Sequence, residues 1–92
     1  MEVKKTKING VFLIKPQIFK DKRGYFFESF NSKEFRKATG LNVQFVQDNR
    51  SLSCKNVLRG LHFQHPPFAQ AKLVSVIKGE VLDVVVDIRK DS

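Results

Sequence analysis

The sequence of 92 residues contains a single cysteine, Cys54. One cysteine excludes an internal disulfide and any metal site built from several cysteines. Cys54 lies in the polar segment "SLSCKN" without an obvious base next to it, so we assign it no role. This cysteine usage favours a reducing compartment.

Long hydrophobic runs are also missing. The first residues, "MEVKKTKINGVFLIK", lack the apolar core of a signal peptide, and no stretch approaches the ~18 apolar residues of a membrane span. We therefore expect a cytoplasmic protein without a membrane partner.

Acidic residues are few relative to basic ones. The chain has nine Asp and Glu against 17 Lys and Arg, a formal charge of +8. This surplus favours an anionic partner such as a nucleic acid, phosphate or nucleotide. The basic residues are spread along the chain instead of forming one block, so an ordinary solvated basic surface is an equal alternative.

Apolar residues are plentiful, at 41% of the chain, and nine of them are Phe. This composition predicts a globular domain, or part of one, with a core. A chain of this length buries only roughly 60–65% of the surface that its unfolded form exposes. Its core is therefore marginal without a partner or more chain.

Short apolar segments separated by turns predict mostly β structure of the antiparallel sandwich or barrel type. The predicted strands span residues 11–15, 25–30, 42–49, 56–64, 72–77 and 81–88. One short helix is predicted near 32–39, because Asn31 and Glu34 form a capping box and Gly40 suits a C-terminal cap.

The aromatic segment "RGYFFESF" (23–30) is close to the octapeptide of RNA-recognition motifs. Five residues fit that pattern: Arg23, Gly24, Tyr25, Phe27 and Phe30. Phe26 and Glu28 do not fit, and a carboxylate on the binding strand would repel phosphate. RNA-recognition motifs also need two helices, whereas one is predicted here. A nucleic-acid-binding β-domain therefore remains only an alternative.

The segment "VLRGLHFQHPPFAQAKLV" (57–74) concentrates polar groups in an apolar strand pattern. Six of them fall within 14 residues: Arg59, His62, Gln64, His65, Gln70 and Lys72. A histidine flanked by cations creates an anion-binding cavity with one group that accepts a proton near neutral pH. The alternative is a structural, hydrogen-bonded histidine.

Metal-binding cupin sandwiches carry a His-x-His pair followed by a Glu, but here the pair is His62-x-Gln64. His65 faces the other side of an extended strand, and no Glu follows until Glu80. We therefore expect no metal.

Strand geometry places Arg59 and His62 on opposite faces, because they are three positions apart. Gly60 lies between them, and an interior glycine is a common site for re-aiming a side chain. We predict a bulge or kink there. In "NVQFVQDN" (42–49), alternation puts Gln47 and Asn49 on one face, either as a pocket rim or as an edge strand entering solvent.

Four segments in order, "DKRGYFFESFN", "FVQDNRS", "VLRGLHFQHPPFAQAKLV" and "GEVLDVVVDIR", closely resemble the dTDP-4-dehydrorhamnose 3,5-epimerase family. The resemblance covers essentially the whole chain. It implies a metal-independent, cofactor-free cupin, an antiparallel β-sandwich or jelly roll, with residues 1–92 as the N-terminal part of its single domain.

The resemblance also implies a substrate, dTDP-4-dehydro-6-deoxy-D-glucose, and a place in rhamnose supply for surface polysaccharide. His62 matches the family's general base and Lys72 the cation beside the enolate. Substrate-binding positions are matched by Arg23, Phe26, Glu28, Gln47, Asn49 and Arg59. In this family the first three bind the nucleotide across a homodimer interface formed by exchanged N-terminal strands.

Family members are roughly twice as long, and their second half carries the tyrosine acid, an aspartate that orients the histidine, and residues that stack on thymine. The only tyrosine here is Tyr25, in a different motif. We therefore expect the 92 residues to be an incomplete sandwich, inactive alone. A relative that inverts one centre or isomerises the ketone is an alternative on the same scaffold.

Overall fold

The computed structural model describes residues 1–91, which contain four short strands and one helix. These are β1 (Glu2–Lys5), β2 (Phe12–Lys15), β3 (Ile18–Asp21), β4 (Gly24–Phe27) and α1 (Ser32–Thr39). The chain divides into two compact units. The first comprises residues 1–42 together with the described residues from 83 onward, and the second comprises residues 43–82. All five elements belong to the first unit.

Strands β1 and β2 form an antiparallel pair in which Val3 lies opposite Ile14. Thr6 organises the turn between them: its hydroxyl lies 2.8 Å from the carbonyl oxygen of Val11 and accepts from the Ile8 N–H at 3.2 Å. The predicted strand at 11–15 is confirmed. It ends at Lys15, directly before Pro16, which has no N–H to donate to a ladder.

Strands β3 and β4 form an antiparallel hairpin joined by Lys22 and Arg23, with Asp21 opposite Gly24 and Ile18 opposite Phe27. The aromatic strand predicted at 25–30 is therefore present and begins at Gly24, whereas its partner β3 was not predicted. The strand ends at Phe27 and not at Phe30, because the ladder would next require Gln17 and Pro16, and proline cannot donate.

Helix α1 confirms the predicted range of 32–39 and both caps. The Asn31 side chain accepts from the Glu34 N–H at 3.1 Å, and Gly40 takes the left-handed conformation with φ of 73°. On the inner face Phe35 is 7% exposed, the one buried apolar side chain among residues 1–91. Its ring centroid lies 5.7 Å from that of Phe30.

The strands predicted at 42–49, 56–64, 72–77 and 81–88 do not occur in the structure. Their alternation and β-branched content are local properties, whereas a strand also needs a neighbouring backbone to pair with. In the part of the chain that the structure describes, they have no such partner. The apolar face predicted for 81–88 is consequently exposed, with Leu82 at 91%.

The architecture is mostly β, as predicted: two antiparallel strand pairs and one short helix. It is consistent with part of a cupin-type β fold. Within residues 1–91, no helix combines the length and the apolar character that crossing a bilayer requires.

Candidate functional site

The second unit holds five of the predicted site residues: Gln47, Asn49, Arg59, His62 and Lys72. All five side chains are exposed. Within the described chain, no hydrogen bond, ion pair or ring contact joins His62 to Lys72 or to Arg59. Their convergence on one pocket is therefore still a prediction.

Arg59 has a defined partner within this unit. Its Nε donates a hydrogen bond to the Ser53 hydroxyl oxygen at 3.0 Å. The two residues are six positions apart, so the chain between them folds back on itself. The Nε–H is thereby occupied, whereas the end of the guanidinium, formed by its two terminal nitrogens, is directed elsewhere.

Gly60 confirms the predicted kink between Arg59 and His62. Its φ is 103°, a backbone conformation that L side chains rarely adopt. A Cβ at this position would lie 3.5 Å from both the main-chain nitrogen and the Nδ1 of His62. The imidazole therefore lies directly over the kink. Because no ladder includes residues 56–64, the feature is a kink of the chain and not a bulge within a sheet.

The proline loop that follows is held by its own contacts. The Phe68 N–H donates to the His65 carbonyl at 2.7 Å, and the His65 ring lies edge-on to Phe63 with centroids 4.9 Å apart. His65 therefore contacts residues of its own loop, and neither of these contacts involves His62. Among residues 1–91 there is also no group of three or more His, Cys, Asp or Glu side chains placed to hold a metal ion.

The first unit holds the three residues predicted to bind a nucleotide. Arg23 and Phe26 line a shallow depression of about 260 Å³ on the β3–β4 hairpin. Phe26 is 70% exposed and lies opposite Phe19 in the ladder, which puts both rings on one face. Glu28 lies beyond the end of β4, exposed, and is not part of this lining.

The other face of the same hairpin is also aromatic. The rings of Tyr25 and Phe27 stack with centroids 6.0 Å apart. Both faces of the hairpin are therefore apolar and accessible to a partner in the chain as described.

Arg23 is paired with Asp21 across the hairpin turn. Its Nη2 lies 2.7 Å from Oδ2, and the Arg23 N–H donates to Oδ1 at 2.8 Å. The side-chain hydrogen bond from Arg23, followed by the main-chain one, lowers the pKa of Asp21 below its usual value. Asp21 thus fixes one edge of the guanidinium and leaves the rest for a ligand.

Asp21, which pairs with Arg23, and Ser53, which pairs with Arg59, were not predicted from the sequence. Asp21 was detectable, because an Asp two residues before an Arg in a turn recurs at Asp87 and Arg89, where the same pairing forms. Ser53 was not, because a six-residue separation in an irregular segment follows no regular period.

The family model described as dTDP-4-dehydrorhamnose 3,5-epimerase matches residues 5–92. The chain belongs to this family. Enzymes of that name from Shigella flexneri and Salmonella typhimurium are 58% and 56% identical to it over 92 residues, which is all of this chain and 51% and 50% of theirs. The one from Methanothermobacter thermautotrophicus is 53% identical over 88 residues, 46% of its length.

The chain therefore spans about half the length of the curated relatives it matches. No solved structure matches it.

Proposed function

We propose that this chain belongs to an enzyme that epimerises carbons 3 and 5 of dTDP-4-dehydro-6-deoxy-D-glucose. The observation that carries the proposal is the family match over residues 5–92, together with relatives of that name at 45–58% identity. The resemblance supplies the substrate and the site residues. A cytoplasmic location completes the proposal, since a single free cysteine suits a reducing compartment.

The chemistry follows from the ketone at carbon 4, which makes the hydrogens on carbons 3 and 5 acidic. In the proposal His62 removes one of these protons, and the electron pair moves onto the carbonyl oxygen to give an enolate. Lys72 stabilises that oxyanion by its positive charge. A proton returned to the opposite face restores the ketone with the carbon inverted, so the reaction is redox-neutral and needs no cofactor.

The proton donor is a separate part of the proposal. In the family a tyrosine has this role, and it lies in the half of the relatives that the present chain does not span. Tyr25 stacks on Phe27 in the hairpin, which supports the expectation that it is not that donor. The base and the acid would therefore come from different halves of the full-length protein.

The remaining site residues would bind the substrate. Arg59 retains its two terminal nitrogens for the sugar or the diphosphate, and Gln47 and Asn49 supply amides to the pocket. On the hairpin, Arg23 and Phe26 would hold the nucleotide by charge and stacking. Glu28 would accept from a base N–H or an arginine.

A homodimer with exchanged N-terminal strands is a further part of the proposal. The β3–β4 hairpin supports it, because aromatic residues occupy both of its faces and remain accessible. An exposed apolar surface of this kind is usually buried against a partner. A structure of the full-length protein in which Arg23, Phe26 and Glu28 contact only their own subunit's pocket would contradict strand exchange.

Ligand binding distinguishes the proposal from a nucleic-acid-binding domain. Calorimetric titration of the full-length protein with dTDP and with single-stranded RNA, each at 50 and 200 mM salt, should show tighter binding to dTDP. A nucleic-acid-binding protein would instead prefer the RNA, with an affinity that falls ~10³–10⁵-fold over this range if it makes six to ten phosphate contacts. That result would overturn the epimerase assignment.

A further inference from the structure

We propose that Ser53 is a positioning residue for Arg59, which it holds so that the end of the guanidinium faces an anionic oxygen of the substrate. This inference rests on the proposed function, since it assigns Arg59 to substrate binding. It concerns a residue that neither the motif pattern nor the family resemblance singled out.

The geometry is that of a full hydrogen bond. Arg59 Nε and Ser53 Oγ are 3.0 Å apart, which is the usual distance for an N–H to oxygen bond. Holding Nε restricts the orientation of the whole guanidinium, because its nitrogens are coplanar and move together. The remaining free edge, formed by the two terminal nitrogens, then has one direction and can bind two oxygens of a phosphate.

The second observation is that Arg59 binds a hydroxyl group and not a carboxylate. Arg23 and Arg89 each pair with an aspartate, at 2.7 and 2.8 Å, and these carboxylates balance their charge. Arg59 has no carboxylate within ion-pair distance anywhere in residues 1–91. Ser53 therefore orients this arginine without neutralising it, as a site for an anion requires.

The Ser53 hydroxyl can also act on the ligand directly. Its oxygen accepts from Arg59, so its own proton must point elsewhere, and no hydrogen bond within the described residues uses it. An anionic oxygen beside the guanidinium would be the natural acceptor. The pair thus offers up to three donors to one anionic group.

Ser53 contributes to binding by preorganising the Arg59 side chain. A free arginine loses side-chain entropy when it binds a ligand, and a residue that has already restricted it lowers that cost. The contribution should therefore appear in substrate and dTDP affinity and not in the proton-transfer step that the proposal assigns to His62.

The test compares Ser53→Ala with wild type in the full-length protein. Loss of one such hydrogen bond should raise both the KM for the keto-sugar and the dissociation constant for dTDP by roughly two- to tenfold, with kcat changed less than twofold. Ser53→Thr keeps the hydroxyl and should restore both values. Cys54→Ala, at the exposed neighbouring position, is the matched control and should leave them unchanged.

A double-mutant cycle tests the link to Arg59. Lys cannot reproduce the Nε contact, so Arg59→Lys should weaken dTDP binding by itself. Adding Ser53→Ala to that variant should cost less than Ser53→Ala costs in wild type, because the contact that orients Arg59 is already gone. Independent, additive losses would contradict the positioning role.

The hydrogen bond between Ser53 and Arg59 can also be tested without substrate. In the NMR spectrum of the full-length protein, the Arg59 Nε–H should exchange with water more slowly in wild type and Cys54→Ala than in Ser53→Ala. If wild type binds dTDP while Ser53→Ala changes neither this exchange nor the affinity, the inference is overturned and the proposed function stands. If wild type binds no dTDP, the proposed function fails and the inference falls with it.

Discussion

Arg89 donates from Nη2 to the main-chain carbonyl of Asn9 at 2.8 Å, which joins residues 80 positions apart within the first unit. The same guanidinium is held by Asp87, through Nε to Oδ1 at 2.9 Å and Nη2 to Oδ2 at 2.8 Å. Asp87 thus orients Arg89 toward the β1–β2 turn. This contact ties the segment after residue 82 to the N-terminal strand pair, even though that segment forms no strand.

This relationship predicts the acid titration of Asp87. Hydrogen bonds from the Arg89 side chain and main chain lower the pKa of Asp87 from its usual 3.8 to about 2. A lowered folded-state pKa means that the stabilisation is fully present above pH 3.8 and is lost as the pH falls through about 2. Carbon-detected NMR should give a midpoint near 2 for this carboxyl. In Arg89→Gln the midpoint should move toward 3.8.

Lys90→Gln is the control for this titration, because it removes a neighbouring charge without touching the contact. It should leave the Asp87 midpoint almost where it is. If Lys90→Gln and Arg89→Gln shift the midpoint equally, general electrostatics and not the direct pairing lowers the pKa.

Gly60 gives a prediction about the geometry beside His62. Ala at a φ of 103° is strained by about 1–2 kcal/mol, so Gly60→Ala should relax the kink and move the imidazole. Gly79→Ala is the matched control, since Gly79 has a φ of 94° and an added methyl group would have no atom within 4 Å. Both variants should lose similar thermal stability in the full-length protein, but only Gly60→Ala should lose at least tenfold in kcat.

Equal activity losses in the two glycine variants would contradict a specific role for the kink. Unchanged activity in Gly60→Ala, with the strain visible as lost stability, would show that the position of His62 does not depend on Gly60.

Local features were the predictable part of this fold. The helix followed from its two caps, Asn31 and Gly40, because each cap depends on residues within a few positions of one another. The aromatic strand followed from its own residues, although its partner β3 was not predicted. The kink at Gly60 followed from the odd spacing of Arg59 and His62. These features need no distant part of the chain.

Pairing and site assembly were not predictable in the same way. The pattern in 42–49 and 81–88 indicates which side chains share a face, but no local pattern supplies the second backbone that makes a strand. The candidate site has the same difficulty: His62, Lys72 and Gln47 lie on three such segments, so their convergence depends on long-range pairing. Ser53 was missed because its contact with Arg59 has no periodic signature.

The 92 residues expressed alone should self-associate or unfold in part and should not epimerise the sugar. Phe35 is the one buried apolar side chain among those described, while Leu82, Val84 and Ile88 are exposed. At ~25 cal/mol per Å², a few hundred Å² of uncovered apolar surface forfeits several kcal/mol, comparable to the stability of a small domain. Sedimentation velocity and thermal unfolding decide this: a compact monomer with a sharp cooperative transition would contradict the prediction.

His62→Asn in the full-length protein tests the assignment of the base. Asn keeps the approximate shape and some hydrogen bonding but cannot accept the proton, so kcat should fall ~10²–10⁴-fold while dTDP affinity stays nearly constant. His65→Asn is the control, because His65 is engaged in the proline loop, and it should retain wild-type kcat. A His62→Asn variant with a tenth of wild-type activity would remove His62 from this role.

The proposed function depends on enolate formation on either side of the ketone. The most direct measurement incubates the full-length protein with dTDP-4-dehydro-6-deoxy-D-glucose in heavy water and locates deuterium in the product by NMR. The proposed mechanism places deuterium at both carbon 3 and carbon 5. Label at one carbon would indicate a single-centre relative or a ketoisomerase, and label at neither carbon would contradict the enolate mechanism altogether.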